Sequence, residues 1–232
     1  MINKIWVADE IWALRPDYQV LILTAEGLTG GPSDDQSGHW LTAAAAGAAD
    51  PSTDEHVAAW QDAFRGFGAK PKRTRSSVEA LLRRAGTGLP RVNRVVDAYN
   101  AVSVAHVLPV GGEDLDAYAG PPRLTRALGG EPFDTSAHGE PVTVHVDQGE
   151  VVWRDDVGVT CRRWNWRQCK RTRITQATTN AFFVLERLTP YPEQQLHAAA
   201  DALTGHLKAI TPTVRIEARV IGPEAQPERR GC

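Results

Sequence analysis

The hydrophobic period of this chain changes partway along its length, and that change limits what it can fold into. After two opening strand patterns at residues 4–7 and 18–24, apolar positions recur at helical spacing as far as residue 108. Beyond Pro109 and the pair Gly111-Gly112 they fall in short strand-like runs at 123–127, 142–146, 151–154, 159–163 and 181–188. Segregated helices and strands belong to the α+β class, here layered β-sheets flanked by helices. The run Tyr18-Gln19-Val20-Leu21-Ile22-Leu23-Thr24 reads as a strand buried on both faces, and 27–37 as a loop rich in Gly, Ser and Asp.

Helices are expected over 40–49, after Ser52, from Ser76, over 92–108 and over 193–208. The second has Ser52 and Glu55 at capping-box spacing and an apolar face of Val57, Trp60, Phe64 and Phe67. The third repeats the capping pattern at Ser76 and Glu79, turns Val78, Leu81 and Leu82 inward, and ends on Arg83 and Arg84, where cations complement the helix dipole. The last carries Leu196, Ala199, Ala200, Leu203 and Leu207 on one stripe, and a strand at 214–221 follows it. Gly149-Glu150 is expected to turn one strand tightly into the next. No repeat or linker interrupts the pattern, so residues 1–221 are expected to form one domain and 222–232 a frayed tail.

A formal net charge of −2 over 232 residues argues against a general polyanion binder, yet basic residues are clustered locally. Lys70-Pro71-Lys72-Arg73-Thr74-Arg75 is one cluster, with Arg83 and Arg84 just beyond it. The segment from Cys161 to Arg173 holds six basic residues, two tryptophans and an asparagine without an acid. Guanidinium groups beside aromatic faces can hold an anion and the flat group attached to it, which suits contact with a nucleic acid at one face. Equally, such a segment can be a surface strand with its tryptophans packed inward and its arginines solvated. No apolar stretch is long enough to span a membrane, the start lacks a signal peptide's apolar region, and the cysteines show no C-x-x-C spacing. The expected location is the cytoplasm, with no membrane partner.

There is no G-x-S-x-G elbow, no Walker loop, no H-E-x-x-H and no dinucleotide fingerprint. The seven histidines, His138 among them, never gather at ligand spacing, so neither a metal nor a cofactor is expected. Two constellations remain. In Asp97-Ala98-Tyr99-Asn100, followed by Pro109-Val110-Gly111-Gly112-Glu113-Asp114, an asparagine on a helix can fix a substrate carbonyl or amine. The glycine pair allows close approach to backbone N–H groups, or simply ends the helix. The second constellation is Trp164-Asn165-Trp166-Arg167 through Thr172.

In this order the two resemble the tRNA-editing module of the bacterial phenylalanyl-tRNA synthetase beta subunit, its third and fourth domains, and more closely the freestanding proteins built from that module. The shared text includes Lys70-Pro71-Lys72-Arg73, Ser77-Val78-Glu79-Ala80-Leu81-Leu82-Arg83-Arg84, Val96-Asp97-Ala98-Tyr99-Asn100-Ala101 and Leu108-Pro109-Val110-Gly111-Gly112-Glu113-Asp114-Leu115. It continues with Gly129-Gly130-Glu131-Pro132-Phe133, Gly149-Glu150-Val151-Val152 and Arg162-Arg163-Trp164-Asn165-Trp166-Arg167 to Arg171-Thr172, and covers roughly residues 50–190.

The resemblance implies an aminoacyl-tRNA deacylase, a hydrolase that clears the ester of a mischarged tRNA in trans. The synthetase module removes tyrosine from the phenylalanine tRNA, and some freestanding relatives remove the arginine analogue canavanine from the arginine tRNA. This chain departs from the synthetase pattern. Tyr99 and Asn100 stand where it has Thr-Asn, Gly111 where it has a histidine, Gln168 and Cys169 where it has a Gly-Gly turn, Thr172 where it has a serine, and Val184 where it has the glutamate that reads tyrosine. Canavanyl-tRNA(Arg) is therefore the best candidate substrate, ahead of tyrosine on tRNA(Phe).

The implied catalytic candidates are Asn100, Thr172 and His106, with the group that activates water left open. The implied substrate wall comprises Tyr99, Asn100, Gly111, Gly112 and Glu113 on one side and Asn165, Arg167, Gln168, Cys169 and Val184 on the other. Lys70, Lys72, Arg73, Arg75, Arg163, Lys170, Arg171 and Arg173 are the candidates for the tRNA acceptor end. A binding module that has lost hydrolysis with the synthetase histidine is the competing reading. The oligomeric state is left open.

Overall fold

The computed structural model describes residues 2–137 and 139–223. Of the expected tail, residues 224–232 lie outside the described residues, as does His138. The chain opens with β1 (Trp6–Val7), α1 (Asp9–Leu14) and β2 (Gln19–Glu26), then α2 (Asp35–Ala46), α3 (Glu55–Gly66), α4 (Ser77–Ala85) and α5 (Arg94–Ala105). Strands follow: β3 (Val110–Asp114), β4 (Arg123–Arg126), β5 (Pro132–Ala137), β6 (Glu140–His145), β7 (Val151–Arg154), β8 (Val159–Arg162), β9 (Arg167–Gln168) and β10 (Asn180–Arg187). The helix α6 (Glu193–Ile210) and the strand β11 (Arg215–Ile221) complete the order.

Among the described residues the strands form a four-stranded sheet ordered β11-β2-β10-β3, a five-stranded sheet ordered β1-β4-β7-β8-β9 and the hairpin β5-β6. Pairing is antiparallel except between β1 and β4. The apolar run of β2 is continuous because the strand is buried on both faces. Leu21, Leu23 and Ala25 join one core with Val95, Ala98 and Val102 of α5 and Leu196, Leu203 and Leu207 of α6. Val20 and Ile22 point the other way, into a core with Trp60 and Phe64 of α3 and Leu124, Trp153 and Trp164 of the five-stranded layer. β10 divides identically, Phe183 and Leu185 to the first core and Phe182 and Val184 to the second. The molecule is thus α+β: helices α5 and α6, the four-stranded sheet and the five-stranded sheet lie in successive layers. Truncating Leu203, which is fully buried, to alanine would cost about 2–5 kcal/mol.

Several boundaries differ from the expectation for identifiable reasons. α2 begins well before residue 40 because Asp34 caps it: its side chain accepts from Ser37 N at 2.8 Å, and Ser37 Oγ accepts from Asp34 N. The helix expected after Ser52 is capped instead by Asp54, which accepts from Val57 N at 2.9 Å, while Ser52 donates to Asp50. Ser76 does cap α4. Gly149-Glu150 does not close a hairpin, because β6 pairs with β5 and β7 pairs with β4 and β8; the chain changes sheets there. The Gly111-Gly112 pair lies inside β3, not at a helix end. A Cβ on Gly112 would stand 2.7 Å from the Phe183 ring and 2.9 Å from Ile174, so tight packing of β3 on β10 explains that glycine.

Candidate functional site

The outer edge of β3 meets the β8–β9 turn and the helices α4 and α5 around a cavity of about 480 Å³. Tyr99 and Asn100 of α5, Gly111 and Glu113 of β3, and Asn165, Arg167 and Gln168 of the segment from the β8–β9 turn into β9 all line it. Val184, Trp153, Cys161 and Trp164 form its apolar lining. The asparagine helix and the tryptophan–arginine segment therefore share one space.

The Asn165 side of the cavity is held by a strained turn. Arg163 and Trp164, neither a glycine, take φ of 49° and 65° in succession. Left-handed backbone at such residues costs on the order of 1–3 kcal/mol each and persists only where packing enforces it. Here Trp164 supplies the enforcement: its backbone N–H donates to Val151 O at 2.7 Å, and its ring, fully buried, meets Tyr18 and Trp60 edge-on at 5.0 and 5.3 Å. The turn then delivers Asn165 to the cavity. Its Nδ2 donates to Glu186 Oε2 at 3.0 Å, and its Oδ1 is buried without a hydrogen-bond partner. Glu186 also accepts from Tyr18 Oη at 2.8 Å and Trp153 Nε1 at 3.3 Å. Burial raises the pKa of Glu186 and these donors moderate the rise.

Trp164 is thus core, not a free stacking face. Trp166 is half-buried, with the guanidinium groups of Arg163 and Arg167 4.9 and 4.5 Å from its ring centre.

Glu113 is the acid of the cavity. Burial pushes its carboxyl up to about 7, against donors that favour the charged form: Thr172 Oγ1 at 2.5 Å and Tyr118 Oη at 2.7 Å, both to Oε2. Tyr99 is also buried, which raises its phenol well above the ordinary value.

Arginines surround the mouth. Arg73, Arg75 and Arg83 line the cavity and also an adjoining groove of about 690 Å³ whose other basic residues include Lys70 and Lys72. Glu79, buried at the base of α4, accepts from Arg83 Nε at 2.9 Å and lies 3.5 Å from Arg75 Nε, so two of these arginines are pre-positioned. Arg84 completes the rim.

The remaining sequence candidates lie elsewhere. Thr172 and Cys169 are buried beside the cavity, Thr172 bonding Glu113 and Cys169 packed with Phe133 and Val152; neither lines it. Gly112 is not part of the lining, and its carbonyl accepts from Gln168 Nε2 at 2.8 Å. His106 caps the far end of α5, where Tyr191 donates to its carbonyl, away from the cavity. The Arg171 guanidinium is committed to the buried Asp155 through two bonds of 2.8 and 2.9 Å, and Arg163 is held by Glu150 and Thr74. Lys170 and Arg173 flank these residues outside the lining, Arg173 bridging Glu113 through the backbone. Sequence reasoning missed Trp153 and Cys161, whose strand pattern gives no sign that one face meets a cavity. Arg83 and Arg84 were expected in a basic cluster with Lys70–Arg75, and the structure adds that both line the cavity.

The B3/4 domain family matches residues 59–218, a span that contains every residue named above as lining the cavity. The chain belongs to the B3/4 domain family. Its resemblance to the editing module of the phenylalanyl-tRNA synthetase beta subunit stands on that match. Among solved structures, this B3/4 protein is similar to an N-terminal fragment of the phenylalanyl-tRNA synthetase beta-subunit from Pyrococcus horikoshii, with 15% identity, a TM-score of 0.45 and 92% of the chain covered. The chain spans 50% of that fragment's length. No curated protein matches it in sequence. No described helix is long and apolar enough to cross a membrane.

Proposed function

We propose that this B3/4 protein is an aminoacyl-tRNA deacylase that hydrolyses the ester of a mischarged tRNA in trans, with canavanyl-tRNA(Arg) as its substrate. One observation carries the reading: a cavity of ligand size, lined by Asn100, Asn165 and Gln168, opens onto a groove edged by Lys70, Lys72, Arg73, Arg75 and Arg83. A terminal nucleotide enters along the cations, and the amino acid it carries reaches Asn100, Asn165 and Gln168. The B3/4 family supports tRNA as the partner, its acceptor end being the part that fits. An ester already activated needs positioning and a proton acceptor, not a strong nucleophile.

Substrate choice follows from charge. Five arginines, Arg73, Arg75, Arg83, Arg84 and Arg167, line the cavity against one lining carboxyl, Glu113, which burial already holds back from ionising. Arginine's guanidinium is always charged and enters such a site at a high cost. A less basic oxyguanidine can enter neutral and still offer N–H donors to Asn165 Oδ1.

The test is release of amino acid from canavanyl-tRNA(Arg), arginyl-tRNA(Arg) and tyrosyl-tRNA(Phe), side by side. Canavanine should be released at least about tenfold faster than arginine, a difference of about 1.4 kcal/mol. Binding of the charged tRNAs with no release from any of them would make the protein a binding module instead.

A further inference from the structure

The position of Glu113 suits a role other than holding substrate. It lies on β3, is only 5% exposed, and still lines the cavity. Hydroxyl donors from Tyr118 and Thr172 bind Oε2, and Tyr118 Oη is itself 2.8 Å from Thr160 Oγ1, whose hydroxyl also favours the charged carboxyl. Oε1 has no hydrogen bond among the described residues. One oxygen is therefore clamped by a hydroxyl network, in a carboxyl group that lines the cavity together with Asn165 and Gln168. A carboxylate fixed in this way cannot swing to follow a substrate group, but it can receive a proton at a constant position.

We propose that Glu113 is the proton acceptor for the water that cleaves the aminoacyl ester, an inference that rests on the deacylase reading. As the water oxygen bonds to the ester carbonyl carbon, Oε1 takes one of its protons. The tetrahedral adduct then collapses, the bond between that carbon and the ribose oxygen breaks, and the ribose oxygen takes the proton back from Glu113. One water is consumed, the amino acid and a free ribose hydroxyl leave, and the carboxylate is regenerated.

The groups around Glu113 leave it as the one that titrates near neutrality. Tyr99 on α5 and Cys161 on β8 are buried and Tyr118 after β3 is half-buried, and desolvation pushes each of them up and keeps it neutral. Thr160 and Thr172 do not titrate in this range, and Arg171 stays charged while lowering the carboxyl's value. Across the strand pair Glu113 faces Phe182 of β10. Burial places the carboxyl at about 7, where a base is both sufficiently populated and sufficiently strong.

The experiment is single-turnover release from canavanyl-tRNA(Arg), or from whichever charged tRNA the panel shows to be cleaved, followed across pH with the uncatalysed rate subtracted. The wild type should accelerate through about pH 7 and then level off. Glu113→Gln should lose about 10²–10⁴-fold in rate together with that inflection, while binding an amide-linked, non-hydrolysable aminoacyl-tRNA as tightly as the wild type. Tyr118→Phe removes one donor to the ionised form and should move the inflection to higher pH, a shift that a merely structural tyrosine would not cause. Glu113→Gln with the wild-type rate and profile would overturn the proposal. So would a loss of amide-analogue affinity matching the loss of rate, which would make Glu113 a substrate-reading group. A wild type that releases nothing from any charged tRNA would overturn the deacylase reading itself, a result read before any variant is made.

Discussion

Asn165 donates through Nδ2 to Oε2 of Glu186 at 3.0 Å, and a carboxylate accepts only from the amino end of an amide. The orientation of the Asn165 side chain is thereby set by a residue on a different sheet, and its Oδ1 is left as a buried acceptor at the cavity wall. Glu186 is held in turn by Tyr18 and Trp153, so the polar wall is anchored in the aromatic core that also enforces the Arg163–Trp164 turn.

Asn165→Asp would place a second carboxylate against Glu186. One of the two must then stay protonated, and the variant should lose about 1–3 kcal/mol of stability, with a melting temperature lower by roughly 2–4 °C per kcal/mol. Asn165→Ala removes the acceptor without the repulsion. It should lower amino-acid release much more than its stability loss explains. Thermal melts beside single-turnover assays separate the two effects, and an unchanged release rate in Asn165→Ala would take Oδ1 out of the site.

Asn100 lines the cavity from α5, a helix capped by Asn93 and packed on α2 and α6, with Val95, Ala98 and Val102 in the core that α6 shares. Asn100→Ala keeps a good helix former at that position and should leave the melting temperature within about 2 °C while lowering release. Full turnover in this variant would show that Asn100 does not contact the substrate.

The basic rim makes a prediction about salt. Lys72 lines only the groove, whereas Arg75 lines both the groove and the cavity and lies against Glu79. If both meet phosphates, Lys72→Ala and Arg75→Ala should each weaken tRNA binding and reduce the slope of log affinity against log salt by about 0.7–0.9. Arg171→Ala should leave that slope unchanged, because its guanidinium is bound to Asp155, and should lower stability instead. Filter binding at several salt concentrations measures all three.

How far the molecule was legible in its sequence depended on whether a signal was local. The continuous apolar run of β2, the stripe of α6 and the Ser76 cap report burial and hydrogen bonding within a few residues, and the structure has them where the periodicity put them. Gly111-Gly112 carried no such information. A glycine required by a Phe183 ring on another strand looks in sequence like one that ends a helix. The shared cavity was expected only through motif resemblance, since no period links Asn100 to Asn165. The contacts that shape it, Thr172 to Glu113 and Asn165 to Glu186, join residues whose partners are fixed by sheet stacking and not by spacing. The two tryptophans beside Asn165 illustrate the same limit, because only the turn decides that Trp164 enters the core and Trp166 stays under its arginines.

Glu113 should also reveal itself through stability. Burial raises its pKa from the ordinary 4.5 to about 7, so the folded state holds the proton more tightly than the unfolded chain does. For a carboxyl shifted upward, the favourable contribution is complete below about pH 4.5 and is lost as pH rises through about 7. By about pH 8 the wild type has given up at most about 3 kcal/mol on this account. Glu113→Gln carries no charge to desolvate, and its side-chain oxygen can still accept from Tyr118 or Thr172. Its melting temperature should therefore gain on the wild type across that window, by several degrees at about pH 8, even as it loses activity. Calorimetry of both proteins over the range checks this. Melting curves that stay parallel at every pH would show that the Glu113 carboxyl ionises in the ordinary range, and would remove the basis for placing a neutral-pH proton acceptor in this cavity.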